Sequence, residues 1–235
     1  MQTQGGIETM NNLRKGWKAA AAGLTTIGLA VVAYGNLPAA NAEQTSGQAA
    51  TAASGTVLSR AKHMVTVAEV RKADPKRPWS VQIDRGLLQR TYCGVYSTEG
   101  KNVASRLARA YTGDNIASYG RQHVTAYRTP AAAKAAYYSI VKTVLSCTAS
   151  KPAPTHARKI TENRVVKGAA GPTRVIRWYD YPLPSDPGGE AGGFPYAITL
   201  RGTTVSVLAF SGYGPGMSAP SFDRLARTAA AKLPR

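Results

Sequence analysis

The chain of 235 residues has little cysteine, little histidine and little acid: two Cys, three His, and 12 Asp+Glu against 30 Lys+Arg. Two cysteines exclude a multi-disulfide mini-scaffold and, by themselves, a four-ligand zinc site. His63, His123 and His156 never fall three or four residues from one another or from a cysteine, so no metal-binding spacing of the H-E-x-x-H kind exists. No metal or other cofactor is expected. G-x-S-x-G is missing, which removes the nucleophile elbow of α/β-hydrolases. Glu162 stands isolated among Lys159, Arg164 and Lys167. Asp180, Asp186 and Glu190 form the one local acidic cluster, but two of them lie in a Pro/Gly-rich loop. A glycosidase needs two carboxylates held by rigid elements on opposite sides of a bond. Gly212, Gly214 and Gly216 lack the G-x-G-x-x-G spacing, and Pro215 and Pro220 remove N–H donors that a phosphate would need.

What the chain does have is positive charge, with a formal net of +18, and enough apolar residues for a packed core. At 43% hydrophobic and 18% charged it is not a disordered polycation. Its surface would attract polyanions: nucleic acid, acidic lipid or anionic wall polymer. Arg14, Lys15 and Lys18 precede an apolar run from Ala19 to Ala33, then Gly35, Pro38 and Ala40-Asn41-Ala42. This is the order of a secretory signal, with Ala40 and Ala42 framing the cleavage site. The run of about 15 residues is short of the ~20 that a spanning helix needs, and no later stretch is long and apolar enough. The expected organisation is a signal peptide over 1–42, a flexible leader over 43–55 and one domain over 56–235, exported, monomeric and without a membrane span. Removing the signal takes away three basic residues and one acid, so export does not account for the excess charge.

Thr66-Val67-Ala68-Glu69 is a capping box that predicts a short helix to about Lys72, stopped by Asp74-Pro75. Val57, Leu58, Ala61 and Val65 predict an earlier turn or helix. Ser80–Ile83 and Arg90–Val95 read as short extended pieces. Val103, Leu107 and Tyr111 recur at helical spacing, with Arg106 and Arg109 on the other side, and predict a second helix ending at Gly113. Val124–Tyr127 reads as a strand. Thr129-Pro130 then opens the clearest helix, with Ala133, Ala136, Tyr137, Ile140, Val144 and Cys147 on one face. From Lys159 the pattern is β: Lys159–Val166, Thr173–Tyr181, Tyr196–Leu200 and Thr203–Phe210, the last two around an Arg201-Gly202 turn. Phe222, Leu225, Ala226, Ala229 and Leu233 make a closing helix. The order implies an α+β fold: an antiparallel sheet of about five to six strands, helices on one face, and a cleft.

In an exported chain, Cys93 and Cys147 are expected to form a disulfide. Trp178, Tyr179, Tyr181, Phe194 and Tyr196 flank the loop from Pro182 to Pro195. They read either as core and sheet-edge aromatics or as the wall of a ligand cleft. Arg174 and Arg177, on the same strand, suit a carboxylate or phosphate there. The candidate ligand residues are therefore Arg174, Arg177, Trp178, Tyr179, Tyr181 and Tyr196.

Several stretches in order resemble the extracellular sensor domain of PknH-type Ser/Thr kinases of mycobacteria. They are Met64–Val70, the strand-to-helix passage from Val124 through Pro130, the Ala-rich helix ending at Cys147, the hairpin at Arg201-Gly202, and the helix from Phe222 to Leu233. The resemblance spans about 170 residues, a size typical of one domain. It implies an antiparallel sheet with helices bordering a small-ligand cleft, and binding rather than catalysis. It also implies two disulfides, of which this chain can form only one. The leading reading is an exported sensor-like module of the actinobacterial envelope or medium that holds a small or polymeric anionic ligand. The alternatives are a secreted hydrolase of envelope polymers and a nonspecific polyanion binder, the latter marked by steep salt dependence. Specific nucleic-acid recognition is not expected, since no basic recognition helix or paired sheet aromatics are present.

Overall fold

Thr66 caps a short helix as the sequence predicts. Its hydroxyl accepts from the Glu69 N–H at 3.2 Å, and the Glu69 carboxylate accepts from the Thr66 N–H at 2.7 Å. The reciprocal bonds satisfy two donors that the first turn leaves without partners. The helix runs Val67–Ala73 (α2) and stops before Pro75; a single turn, Arg60–His63 (α1), precedes it. In this computed structural model the described residues are 57–83, 93, 102–114, 118–147, 156–185, 187–188, 191–214 and 216–235, all within the unit Ala50–Arg235. The signal segment with Ala40 and Ala42, the leader, the extended piece Arg90–Val95 apart from Cys93, and Asp186 and Glu190 lie outside them. No helix among the described residues is long and apolar enough to cross a membrane.

Seven strands follow or interleave: β1 (Ser80–Ile83), β2 (Val103–Asp114), β3 (Ser118–Tyr127), β4 (His156–Val165), β5 (Thr173–Pro182), β6 (Gly192–Arg201) and β7 (Thr204–Tyr213). Helix α3 (Pro130–Leu145) separates β3 from β4, and α4 (Ala219–Ala231) closes the chain. The sheet order is β1-β2-β3-β7-β6-β5-β4, with every pair antiparallel. Gly202, at φ +56°, supplies the left-handed residue that the two-residue β6–β7 turn requires. One edge strand is only four residues long and the other, β4, carries Arg158, Lys159 and Arg164, both devices that discourage edge-to-edge pairing.

Three expectations are corrected. Residues 103–114 form a strand and not a helix, which also raises the strand count to seven. Val103, Leu107 and Tyr111 are spaced by four, and any multiple of four also satisfies a period of two. Long-range contacts select the strand: the Tyr111 hydroxyl and the Arg109 guanidinium both donate to the Val65 carbonyl, at 2.6 and 2.9 Å. Arg109 thus sits on the same face as Tyr111. The helices also cover both faces of the sheet instead of one. Ile176, Tyr196, Ile198, Val205 and Val207 pack with α3, whereas their neighbours Val175, Ala197 and Leu208 pack with α2 and α4. Strands buried on both sides need apolar residues at consecutive positions, as at Val175-Ile176 of β5, Ala197-Ile198 of β6 and Val207-Leu208-Ala209 of β7.

Helix α3 starts as predicted: the Thr129 hydroxyl accepts from the Ala132 N–H at 3.1 Å, and Pro130 takes the first helical position. Its buried face is Ala133, Ala136, Tyr137, Ile140, Val141 and Val144. Cys147, just past its end, is bonded to Cys93, with the two Cα atoms 5.2 Å apart. Helix α4 is capped by the Ser218 hydroxyl and buries Phe222, Leu225, Ala226, Ala229 and Ala230.

Candidate functional site

Strand β5 carries most of the sequence-predicted ligand residues, and its alternation divides them. Arg177, Tyr179 and Tyr181 follow Val175 toward the α4 side; Arg174 and Trp178 follow Ile176 toward α3. Tyr196 of β6 is also on the α3 side, 1% exposed. Three of the six residues therefore lie on each face. Arg174 and Arg177, three positions apart on a strand, point in opposite directions.

On the α4 side Arg177 is the centre. Its side chain is 8% exposed. Nε donates to Glu162 Oε1 at 2.6 Å and Nη1 to the Met217 carbonyl at 2.9 Å, while the guanidinium carbon lies 5.9 Å from the centre of the Phe222 ring. The remaining nitrogen, Nη2, is buried and has no hydrogen-bond partner among the described residues. Glu162, isolated in sequence, is shared: its Oε2 accepts from Arg164 Nη2 at 2.9 Å. Arg164 in turn makes a two-pronged contact to Asp223 at 2.9 and 2.8 Å. The hydrogen bond to Asp223 is the main influence that raises the Arg164 pKa. The chain of charges Arg177–Glu162–Arg164–Asp223 ties β5 and β4 to the N-terminal half of α4. Tyr179 and Tyr181 are half-buried beyond it, and the Lys159 ammonium lies 5.0 Å from the centre of the Tyr181 ring.

On the α3 side the aromatics are tied to backbone. Trp178 Nε1 donates to the Val144 carbonyl of α3 at 2.8 Å, and the Tyr196 hydroxyl accepts from the Cys93 N–H at 2.8 Å. Arg174 reaches outward to Asn163 Oδ1 at 2.8 Å. Asp180, the acid considered for catalysis, accepts from Arg158 on both oxygens, through Nε on Oδ1 and through Nη2 on Oδ2 at 2.9 Å.

Two features were not singled out by sequence reasoning. His123, on β3, is 2% exposed, and its Nδ1 has no hydrogen-bond partner among the described residues. Burial, with the Arg121 guanidinium two residues away adding to it, pushes its imidazole down to about 4. The second feature is an open groove of about 500 Å³ between α2 and α4, lined by Lys72, Arg224 and Arg227 with Glu69. His63 has a capping role: its Nδ1 accepts from the Ser59 N–H at 2.8 Å. Among the described residues no group of three or more His, Cys, Asp or Glu is placed to hold a metal ion.

No protein-family model matches the chain, and no curated protein matches it in sequence. A solved structure does match in fold. It is the extracellular domain of PknH from Mycobacterium tuberculosis. The TM-score is 0.55 at 11% sequence identity, over 77% of this chain and 98% of that domain. The seven-stranded sheet with its helices is thus similar to a PknH extracellular domain, in line with the resemblance carried by the sequence. At that identity the likeness concerns the fold and not individual side chains.

Proposed function

We propose that this chain is an exported, non-catalytic ligand-binding module, a sensor-like domain of the cell envelope or its surroundings. The observation that carries the reading is the extent of the fold likeness, which takes in 98% of an extracellular domain rather than a fragment of it. Binding is favoured over hydrolysis because the acids best placed for chemistry are already engaged. Asp180 has both oxygens on Arg158, and Glu162 is divided between Arg177 and Arg164.

The ligand we favour is anionic, and its contact on the α4 side of β5 is Arg177, flanked by Tyr179 and Tyr181. A buried guanidinium nitrogen without an acceptor carries a desolvation cost that a ligand oxygen would offset. Arg174, Trp178 and Tyr196 would serve on the opposite face, as the frame that α3 and the disulfide hold.

Thermal shift of the exported chain against envelope components, each at low and high salt, tests the proposal. Stabilisation that persists at high salt and is lost in Arg177→Gln is the expected result. Stabilisation that vanishes with salt would replace this reading with diffuse polyanion binding, because screening removes interactions between exposed charges first. Release of product from an envelope polymer, abolished in Asp180→Asn, would replace it with a hydrolase.

A further inference from the structure

Helices α2 and α4 run antiparallel across one face of the sheet. Glu69, near the start of α2, meets Lys232 at the end of α4 at 3.1 Å. Ala73, at the end of α2, has its carbonyl 3.3 Å from Arg224 Nη2 near the start of α4. Between these two closures lies the groove of about 500 Å³, within the range of small-molecule sites. Its floor is apolar, formed by Ala73 and Leu225, both buried. Its polar lining is three cations, one acid and the Thr228 side chain.

The charges do not cancel. Glu69 is committed elsewhere: it accepts from the Thr66 N–H and hydroxyl, at 2.7 and 3.0 Å, and pairs with Lys232. Burial alone would raise its pKa, but the Thr66 bonds and the Lys232 ammonium outweigh that and hold the carboxyl below its usual value. Lys72 is exposed and has no partner among the described residues. Arg224 donates only to neutral oxygens, the Ala73 carbonyl and the Ser221 hydroxyl, and Arg227 reaches only the Lys167 carbonyl at 3.5 Å. Three positive side chains without an acid of their own face one small, apolar-floored space. Two of them are guanidinium forks one helical turn apart, at i and i+3, a geometry suited to oxygens of a tetrahedral anion.

We propose that the α2–α4 groove is a binding site for a phosphate-bearing small molecule, held by Lys72, Arg224 and Arg227. The phosphate would sit between Lys72 on one wall and the two arginines on the other, with the less polar part of the molecule against Ala73 and Leu225. This site shares no residue with the Arg177 face and stands independently of the ligand proposed there.

The test is calorimetric titration of the whole chain with inorganic pyrophosphate, at low and at physiological salt, alongside phosphatidylglycerol vesicles. Saturable pyrophosphate binding at physiological salt is expected, weakened about tenfold by Lys72→Gln and again by Arg227→Gln, as for loss of a charge-assisted hydrogen bond. Lys134→Gln, on the exposed side of α3, is expected to leave it unchanged. Lys72 has no structural partner, so its variant should keep the wild-type melting temperature. Equal weakening by Lys134→Gln, or no weakening by Lys72→Gln, would overturn the proposal in favour of diffuse charge. Binding to vesicles with none to pyrophosphate would overturn it in favour of a membrane surface. An effect of Arg177→Gln on pyrophosphate binding, with none from Lys72→Gln, would move the phosphate to the β5 face.

Discussion

Arg177 Nε lies 2.6 Å from Glu162 Oε1, beneath the start of α4, and the same carboxylate also holds Arg164. One acid thus neutralises a buried guanidinium from below and a half-exposed one from the side. Removing it strands the buried charge. Glu162→Gln is expected to destabilise the domain by roughly 2–4 kcal/mol, somewhat under the ~3–5 kcal/mol for a fully buried pair because the Glu162 side chain is 19% exposed. Urea unfolding measures this directly. Replacing Arg177 and Glu162 together by Leu should cost less than Glu162→Gln alone, because no charge is then left unpaired.

The disulfide predicts a second outcome. Cys93 and Cys147 are 54 positions apart, and closing a loop of that size restricts the unfolded chain by about 4 kcal/mol in the chain-entropy model. Cys93→Ser with Cys147→Ser should lower the urea midpoint accordingly, and a reducing agent should do the same to the wild-type chain. A midpoint insensitive to reduction would mean that the crosslink does not restrict the unfolded chain to that extent.

His123 sets an acid limit. In the unfolded chain its pKa is ordinary, near 6.5; in the fold it is about 4. Between those values the unfolded state binds a proton that the native state refuses. Stability is therefore lost as pH falls from about 6.5 to about 4, by up to roughly 3 kcal/mol, and this contribution levels off below. Its register neighbours across the sheet, Ala108 and Val207, are apolar, and the nearby Arg121 disfavours the imidazolium further. Urea midpoints at pH 7, 5 and 4 should fall in the wild type and fall less in His123→Gln.

Much of the fold is written locally. The capping box at Thr66, the Thr129-Pro130 start of α3 and the glycine of the β6–β7 turn are all chemistry of a few adjacent residues, and each is where the sequence placed it. β2 was not legible, because spacing by four fits both periods and the deciding partner, the Val65 carbonyl, lies 46 positions away. The two-sided burial was legible in principle: Val175-Ile176 and Val207-Leu208-Ala209 leave no polar face for solvent. For the candidate site, residue types were readable and convergence was not. The odd spacing of Arg174 and Arg177 already separates them on a strand. The α2–α4 groove brings together Lys72 and Arg224, which only the packing of two distant helices can do.

The last strand to be made, β7, occupies the middle of the sheet. Until it and β6 exist, β2–β3 and β4–β5 are separate hairpins, each with an open inner edge. The inner edge of β5 is apolar on both sides of the strand, at Val175 and Ile176, so a chain cut before Gly192 would present a surface prone to self-association. The two halves are joined by a hairpin that is synthesised after both of them. Assembly must then wait for nearly the whole chain, and its rate is set by long-range pairing rather than by the well-signalled helices.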